Sequence, residues 1–294
     1  MQLGLIRDSG KRETASTRAD GLEMARLADR LGLQHLRLRG LVGDDLDAVA
    51  NATESIRIGL DARALAGQGP RAMAMAICDA QTRAAGRLVI EFPCGRLPEM
   101  RGAAEALETV SQTPCPQDGL GFAHPATDRM ALIATGQPQE AKAAAACGDH
   151  VLSPAWLPRA AIARHWPAIV AGATHARLRA RSARWHVARL VFVSDDPASV
   201  ARYLGGPARR YLAAHGAPTD EAHLRQVAIA GSADHVSRRL ADLRRRAGPF
   251  GVLHCVDPGL DPASARHTLL RLVREVMPAL TGATPTRPKE LERT

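Results

Sequence analysis

Eight short apolar runs, each followed by a stretch of helical periodicity, constrain this chain more than any other feature of it. They lie near residues 3, 35, 56, 87, 130, 150, 187 and 252 of 294. Runs this short and this uniformly apolar suit strands buried on both faces, and their alternation with helices makes the sheet parallel. Eight such units favour a closed (β/α)8 barrel over an open doubly wound sheet. No GxGxxG follows the first run, which also counts against a dinucleotide-binding sheet. The expected organisation is one α/β barrel domain over residues 1–280, with reduced insertions, and a polar, mobile tail over 281–294.

Local signals agree with that frame. The helix expected over 18–31 repeats Leu22, Ala25, Leu27, Ala28 and Leu31 and stops at Gly32. A helix over 70–85 starts at Pro70 and is built of Ala and Met, a composition that suits burial either by its own barrel or by a second subunit. Further helices are expected over 158–175, 199–215 (broken at Gly205, Gly206 and Pro207), 233–247 and 262–280. The stretch DRMALIATGQPQEAKAAAACGDHVL, residues 128–152, reads strand, small-residue loop, helix, strand. Its loop, Thr135, Gly136 and Gln137 before Pro138, directs backbone N–H groups and a helix N-terminus at one point, where a phosphate would sit favourably. An ordinary βα turn fits the same residues.

Composition excludes several classes. With 46% hydrophobic residues the chain can bury a large core. It has no apolar run long enough to span a bilayer, and charges at Arg7, Asp8, Lys11 and Arg12 argue against a signal peptide, so a soluble cytoplasmic protein with no membrane partner is expected. The net charge of +9 invites a nucleic-acid reading, but the only lysines are Lys11, Lys142 and Lys289, and the arginines are scattered. The one dense cluster, Arg238, Arg239 and Arg244 to Arg246, interleaves with Asp242 and lacks aromatic neighbours. No nucleic-acid partner is expected. Five cysteines, at 78, 94, 115, 147 and 255, show no metal or redox spacing and read as small, mostly buried thiols; eleven histidines form no HxxxH or HxH group, so no metal is expected.

Barrel chemistry gathers at the C-terminal strand ends. That rule nominates Arg7, Arg39 and Glu91 as candidate catalytic side chains, with Asp8, Asp61, Arg63, residues 93–96, Thr135, Gly136, Gln137, Ser153, residues 194–196 and Asp257 beside them. An unpaired buried carboxylate is costly, so Asp61 and Glu91 are expected to pair with Arg39 or Arg63, for structure or to hold a ligand. Asp195 and Asp196 suit helix capping before Pro197.

The order of segments resembles the luciferase-like flavin monooxygenases. IRIGLDARAL followed by PRAMAMAICDAQTRAAGRLVIEFPCG is similar to that family's third strand, helix and fourth strand. ALIATGQPQEAKAAAACGDHVL resembles its flavin-phosphate loop, and ARLVFVSDDPA, GSADHVSRRLADLRRRAGPFGVLHCV and REVMPAL resemble its C-terminal third. The resemblance implies phosphate contacts from Thr135, Gly136, Gln137 and Gln139, with Cys94, Gly95 and Arg96 in the loop after the fourth strand and Asp61 among the cofactor contacts. It also implies a dimer packed through helices near residue 70. Two departures stand out: LRLRGL carries Arg39 and Gly40 where the family commonly has an acidic residue and histidines, and Glu91 replaces a glycine. Loss of a general acid or base typically costs 10²–10⁴-fold.

Three functions follow. The first is a monooxygenase that takes reduced FMN from a separate reductase and oxygenates a small organic substrate, with F420-dependent hydride transfer as its variant. The second is a degenerate member, a non-catalytic subunit or flavin-binding protein, homodimeric or paired with a homologue, with or without cofactor. The third is a lyase or isomerase that clamps an anionic substrate with Arg7, Arg39 and Arg63.

Overall fold

The computed structural model describes residues 1–8, 15–38, 44–62, 70–92 and 131–281. Strands β1 (Gln2–Arg7), β2 (His35–Leu38), β3 (Arg57–Asp61), β4 (Leu88–Phe92), β5 (Ala131–Ala134) and β6 (His150–Ser153) pair in order, all parallel. β7 (Trp185–Val193) follows β6, and β9 (Val252–Asp257) pairs with both β7 and β1, which closes an eight-stranded barrel. A ninth strand, β8 (Ala228–Gly231), runs beside the C-terminal half of β7 outside that ring. The eight expected strands are the eight staves. β8 escapes the sequence pattern because AIAG offers one large apolar residue, Ile229, among small ones.

Alternation along each strand divides the apolar residues into two layers. Leu3, Leu5, Leu36, Ile58, Ile90, Ile133, Val151, Val187 and Leu253 join the surrounding helices in the larger core cluster. Ile6, Val89, Leu132, Leu152, Ala188, Leu190, Phe192 and Val256 point the other way, into the barrel. At the N-terminal end, the Asp29 carboxylate accepts the backbone N–H groups of Glu54, Ser55 and Ile56 at 2.6–3.0 Å, anchoring the entry to β3.

Helix boundaries shift in informative ways. The expected helix over 158–175 is two, Arg159–Ile162 and His165–His175, with Pro167 tolerated in the first turn of the second. The helix before Gly205 begins earlier, at Pro197, capped by Asp196, whose carboxylate accepts the N–H groups of Ala198 and Ser199 at 3.0 Å. Its expected break is a π-turn, Leu204–Ala208, that carries Pro207 and lets the chain continue helically into Arg209–Ala214. A further helix, Glu221–Val227, leads into β8. Of the described cysteines, Cys255 is buried, Cys78 half-buried and Cys147 exposed; Cys94 and Cys115 lie outside the described residues.

Two interior positions leave no room for a side chain. A Cβ on Gly4 would stand 2.7 Å from His254 Nδ1, and one on Gly59 would stand 2.5 Å from Glu91 Oε1 and 2.9 Å from His35 Nε2. Gly59→Ala is therefore expected to destabilise the fold by about 1–3 kcal/mol through overpacking. Urea unfolding of the variant measures this, and an unchanged midpoint would mean that the barrel interior is looser than described.

Candidate functional site

The C-terminal ends of β2, β3 and β4 bring Arg37, Asp61 and Glu91 together. Arg37 Nη1 donates to Glu91 Oε2 at 2.6 Å, and Glu91 is 2% exposed. Among the described residues the partner of Glu91 is Arg37; Arg39 and Arg63 lie outside them. Arg37 shares the inward side of β2 with His35 and stands opposite Gly59 of β3, whose missing side chain leaves the way to Glu91 on β4 open. Burial pushes the Glu91 carboxyl up, Arg37 pulls it down and Asp61 raises it again, leaving it net raised. Arg37, held by Glu91 against its own burial, stays a cation.

Arg7 and Asp8 end β1. Arg7 Nε approaches Asp257 Oδ2 at 3.7 Å, and Nη1 reaches the Asp20 carbonyl at 3.4 Å. Asp257 also accepts the N–H groups of Gly259 and Leu260 through Oδ1 at 3.0 and 2.8 Å. Burial nonetheless raises its pKa. Asp8 meets His215 Nε2 at 3.6 Å. This side of the rim is covered by residues 197–227: Tyr203 stacks on Phe192 with centroids 4.7 Å apart, and His215 lies between Tyr211 and Trp156 at 4.2 and 4.7 Å. In a chain with 3% aromatic residues, these rings form one of two aromatic clusters among the described residues, the other being Trp166, Trp185 and Phe250. Burial, then Asp257, raise the Tyr203 phenol well above its usual value, so it stays an O–H, and that oxygen has no hydrogen-bond partner among the described residues.

The loop after β5 has the expected form. Thr135 is buried, accepts the Gln137 N–H at 2.9 Å and donates to the Glu140 carboxylate. The helix Pro138–Cys147 follows, with Gln137 at its N-cap and Gly148 closing it at φ 80°. Glu140 in the first turn therefore places the protein's own negative charge at this helix N-terminus. Gly136 packs against Leu157, and Gln137 and Gln139 are exposed. Ser153, on the neighbouring strand, is occupied elsewhere: it accepts from Trp185 Nε1 at 3.0 Å and shares a hydrogen bond with His165 Nδ1 at 2.7 Å. Cys94, Gly95, Arg96 and Arg39 lie outside the described residues, as does residue 40. Asp196 is a cap, and Asp195 pairs with Arg271 at 2.8 Å.

What sequence reasoning missed lies below the rim. Four histidines from four strands line up inside the barrel: His150 Nδ1 meets His186 Nε2 at 2.9 Å, His186 Nδ1 meets His254 Nε2 at 2.8 Å, and His254 Nδ1 meets His35 Nδ1 at 3.3 Å. His35 Nε2 then faces Glu91 Oε1 at 3.3 Å, out of hydrogen-bond alignment. Burial pushes His35 down to about 3, helped by Arg37, Arg57 and His150; it also holds His186 and His254 well below the usual imidazole value. A signal existed in HLRL, WHVARL and VLHCV, each a predicted strand with a histidine at an inward position. Among the described residues no group of three or more His, Cys, Asp or Glu could hold a metal, and no helix is long and apolar enough to cross a membrane.

No protein-family model and no curated protein sequence matches the chain. Solved structures match along its length. The monooxygenase RslO1 from Streptomyces bottropensis superposes with a TM-score of 0.73 at 18% identity, covering 95% of this chain and 99% of its own. The oxygenating constituent of 3,6-diketocamphane monooxygenase from Pseudomonas putida, solved with FMN, gives 0.72 at 19%, covering 98% and 100%. The coenzyme F420-dependent tetrahydromethanopterin reductase of Methanopyrus kandleri gives 0.67 at 16%, covering 95% and 99%. The chain thus has the fold shared by luciferase-like monooxygenases and F420-dependent oxidoreductases.

Two outcomes follow from these groups. Arg37→Met leaves Glu91 buried without its counter-charge, which typically costs about 3–5 kcal/mol. Because the folded carboxyl pKa is raised, the folded state binds the extra proton, so the variant regains stability as pH falls toward the unfolded value and loses it as pH rises. Denaturation at pH 5 and 7.5 tests that sign. Conversely, His35, His186 and His254 are neutral when folded and take up protons when unfolded below about 6.5. Their contribution is intact above that pH and falls below it by up to about 4 kcal/mol per pH unit for three rings. A wild-type stability curve flat between pH 7.5 and 5.5 would contradict their burial.

Proposed function

We propose that this protein is a flavin- or deazaflavin-dependent oxidoreductase, acting as a monooxygenase that draws reduced FMN from a separate reductase and oxidises a small organic substrate in the barrel mouth. The observation that carries the reading is the end-to-end match of fold to proteins of that kind, one of them solved with FMN, by a chain whose rim keeps a buried acid, an arginine and stacked aromatics together.

The residues present suit such a group. A buried phenol and the Asp257 Oδ2 atom, neither with a hydrogen-bond partner among the described residues, are polar functions that a heterocycle with its own donors and acceptors would satisfy. Arg37 and Glu91 would stand under the ring, the Thr135 loop with Gly136, Gln137 and Gln139 would receive the phosphate, and Cys94, Gly95, Arg96 and Asp61 belong to the same proposal. Bound reduced flavin would supply the two electrons that activate O2, one oxygen atom passing to the substrate and the other leaving as water. The chain's own part is to orient the ring, exclude water with Tyr203 and Tyr211, and hold a proton at Glu91. Arg7, paired with Asp257, positions the rim, and Arg39 at the end of β2 is the further cation proposed to face the substrate. The Ala- and Met-rich helix Pro70–Arg83, on which Met75 is 62% exposed, is the face proposed for pairing with a second copy or a homologue.

A second reading has its own observation. Glu140 holds the Thr135 hydroxyl and sits where a phosphate would bind, which suits a member that binds cofactor weakly or not at all. Titration with FMN, FMNH2 and F420, followed by fluorescence and calorimetry, separates the readings. Binding of FMNH2 or F420 supports the oxidoreductase; binding of neither rejects it. Glu140→Gln removes the competing charge and is expected to tighten phosphate-bearing ligands by about 5-fold, equivalent to about 1 kcal/mol at a helix N-terminus. An unchanged affinity would place the phosphate elsewhere.

A further inference from the structure

We propose that the four interior histidines form a proton relay that connects the N-terminal end of the barrel to Glu91 beneath the mouth. The path climbs from β6 to β7, β9, β2 and β4, through His150, His186, His254, His35 and Glu91, with contacts of 2.9, 2.8, 3.3 and 3.3 Å. His150, the first residue of β6, is partly exposed at the strand's start, whereas His186, His254, His35 and Glu91 are buried. Two strands are crossed without contributing a side chain, β1 at Gly4 and β3 at Gly59. These are the positions where a Cβ would press on His254, or on His35 and Glu91 together. Glycine at both crossings keeps the path open.

The atoms admit one consistent arrangement. With Glu91 ionised, His35 carries its proton on Nε2 and the other three carry theirs on Nδ1, so every ring donates toward Glu91. A proton arriving at His150 Nε2 lets His150 pass its Nδ1 proton to His186 Nε2. His186 passes its Nδ1 proton to His254 Nε2, His254 its Nδ1 proton to His35 Nδ1, and His35 its Nε2 proton to Glu91 Oε1. One proton has crossed, four neutral imidazoles remain, and each has exchanged tautomers. The last link is the one out of alignment in this structure, and a small rotation of the Glu91 carboxyl or the His35 ring closes it. Arg37, Arg57 and Asp61 are the other charged groups that act on the path. The two arginines disfavour a stationary imidazolium, so charge moves through the chain and does not rest on it. Residues 197–227 cover one side of the mouth, and a supply from the opposite end reaches Glu91 without passing through the mouth.

The inference rests on the barrel interior and not on the cofactor's identity, and it is tested without one. In full-length ¹⁵N-histidine-labelled protein, Glu91→Gln offers its carbonyl to Arg37 and its amide N–H to His35, so all four rings are expected to exchange tautomers together. In wild type the same exchange is expected at one common midpoint as Glu91 takes up its proton, with His35, His186 and His254 staying neutral. His254→Leu cuts the chain: Glu91→Gln then switches His35 alone and leaves His186 and His150 unmoved. Tautomers of His186 and His150 that ignore Glu91→Gln in the uncut chain, or rings that titrate separately, would overturn the relay. The Glu91→Gln measurement decides the matter even if the cut variant does not fold.

Discussion

Closing eight parallel strands creates an interior that half of their side chains must fill without water, and here much of that space holds polar groups. Four imidazoles, a carboxyl and a guanidinium survive there because each touches the next. A buried polar group without a partner costs far more than the same group with one, so such a set behaves as a unit. The glycines at positions 4 and 59 belong to that unit as much as the histidines do, since packed side chains at either would separate its members.

Above this layer the rim is uneven. On the β2 to β4 side stand Arg37, Asp61 and Glu91; on the β7, β9 and β1 side the helices of 197–227 lay Tyr203, Tyr211 and His215 over Phe192 and Asp8. The first side carries charge alone, and the second sets aromatic rings beside the charged Arg7, Asp8 and Asp257. The π-turn at Leu204–Ala208 sits in the covering segment, where a wider turn accommodates Pro207 without ending the helical path.

Much of the architecture was legible in the chain. The eight staves, the Pro138 start and Gly148 stop of the helix after β5, and the cap at Asp196 all rest on local chemistry: periodicity, a missing N–H, a positive φ, a side-chain acceptor. The candidate site was legible only in outline. Glu91 was found from its place at a strand end, but Arg37, its partner among the described residues, was not named, since position at a strand end pointed to Arg39 and Arg63 instead. Thr135 and its loop were found, whereas the engagement of its hydroxyl by Glu140 was not, although a carboxylate five residues on and one helical turn inside is a readable feature.

What the sequence determined by itself is the alternation of buried strands with helices, and hence a closed parallel barrel, because strand length and apolar periodicity are properties of consecutive residues. Only the tertiary structure decided which inward side chains meet. His35, His150, His186 and His254 are separated by up to 219 positions along the chain, and their contact depends on how far each strand is staggered against its neighbour. That stagger is set by closure of the whole ring. No single segment contains it.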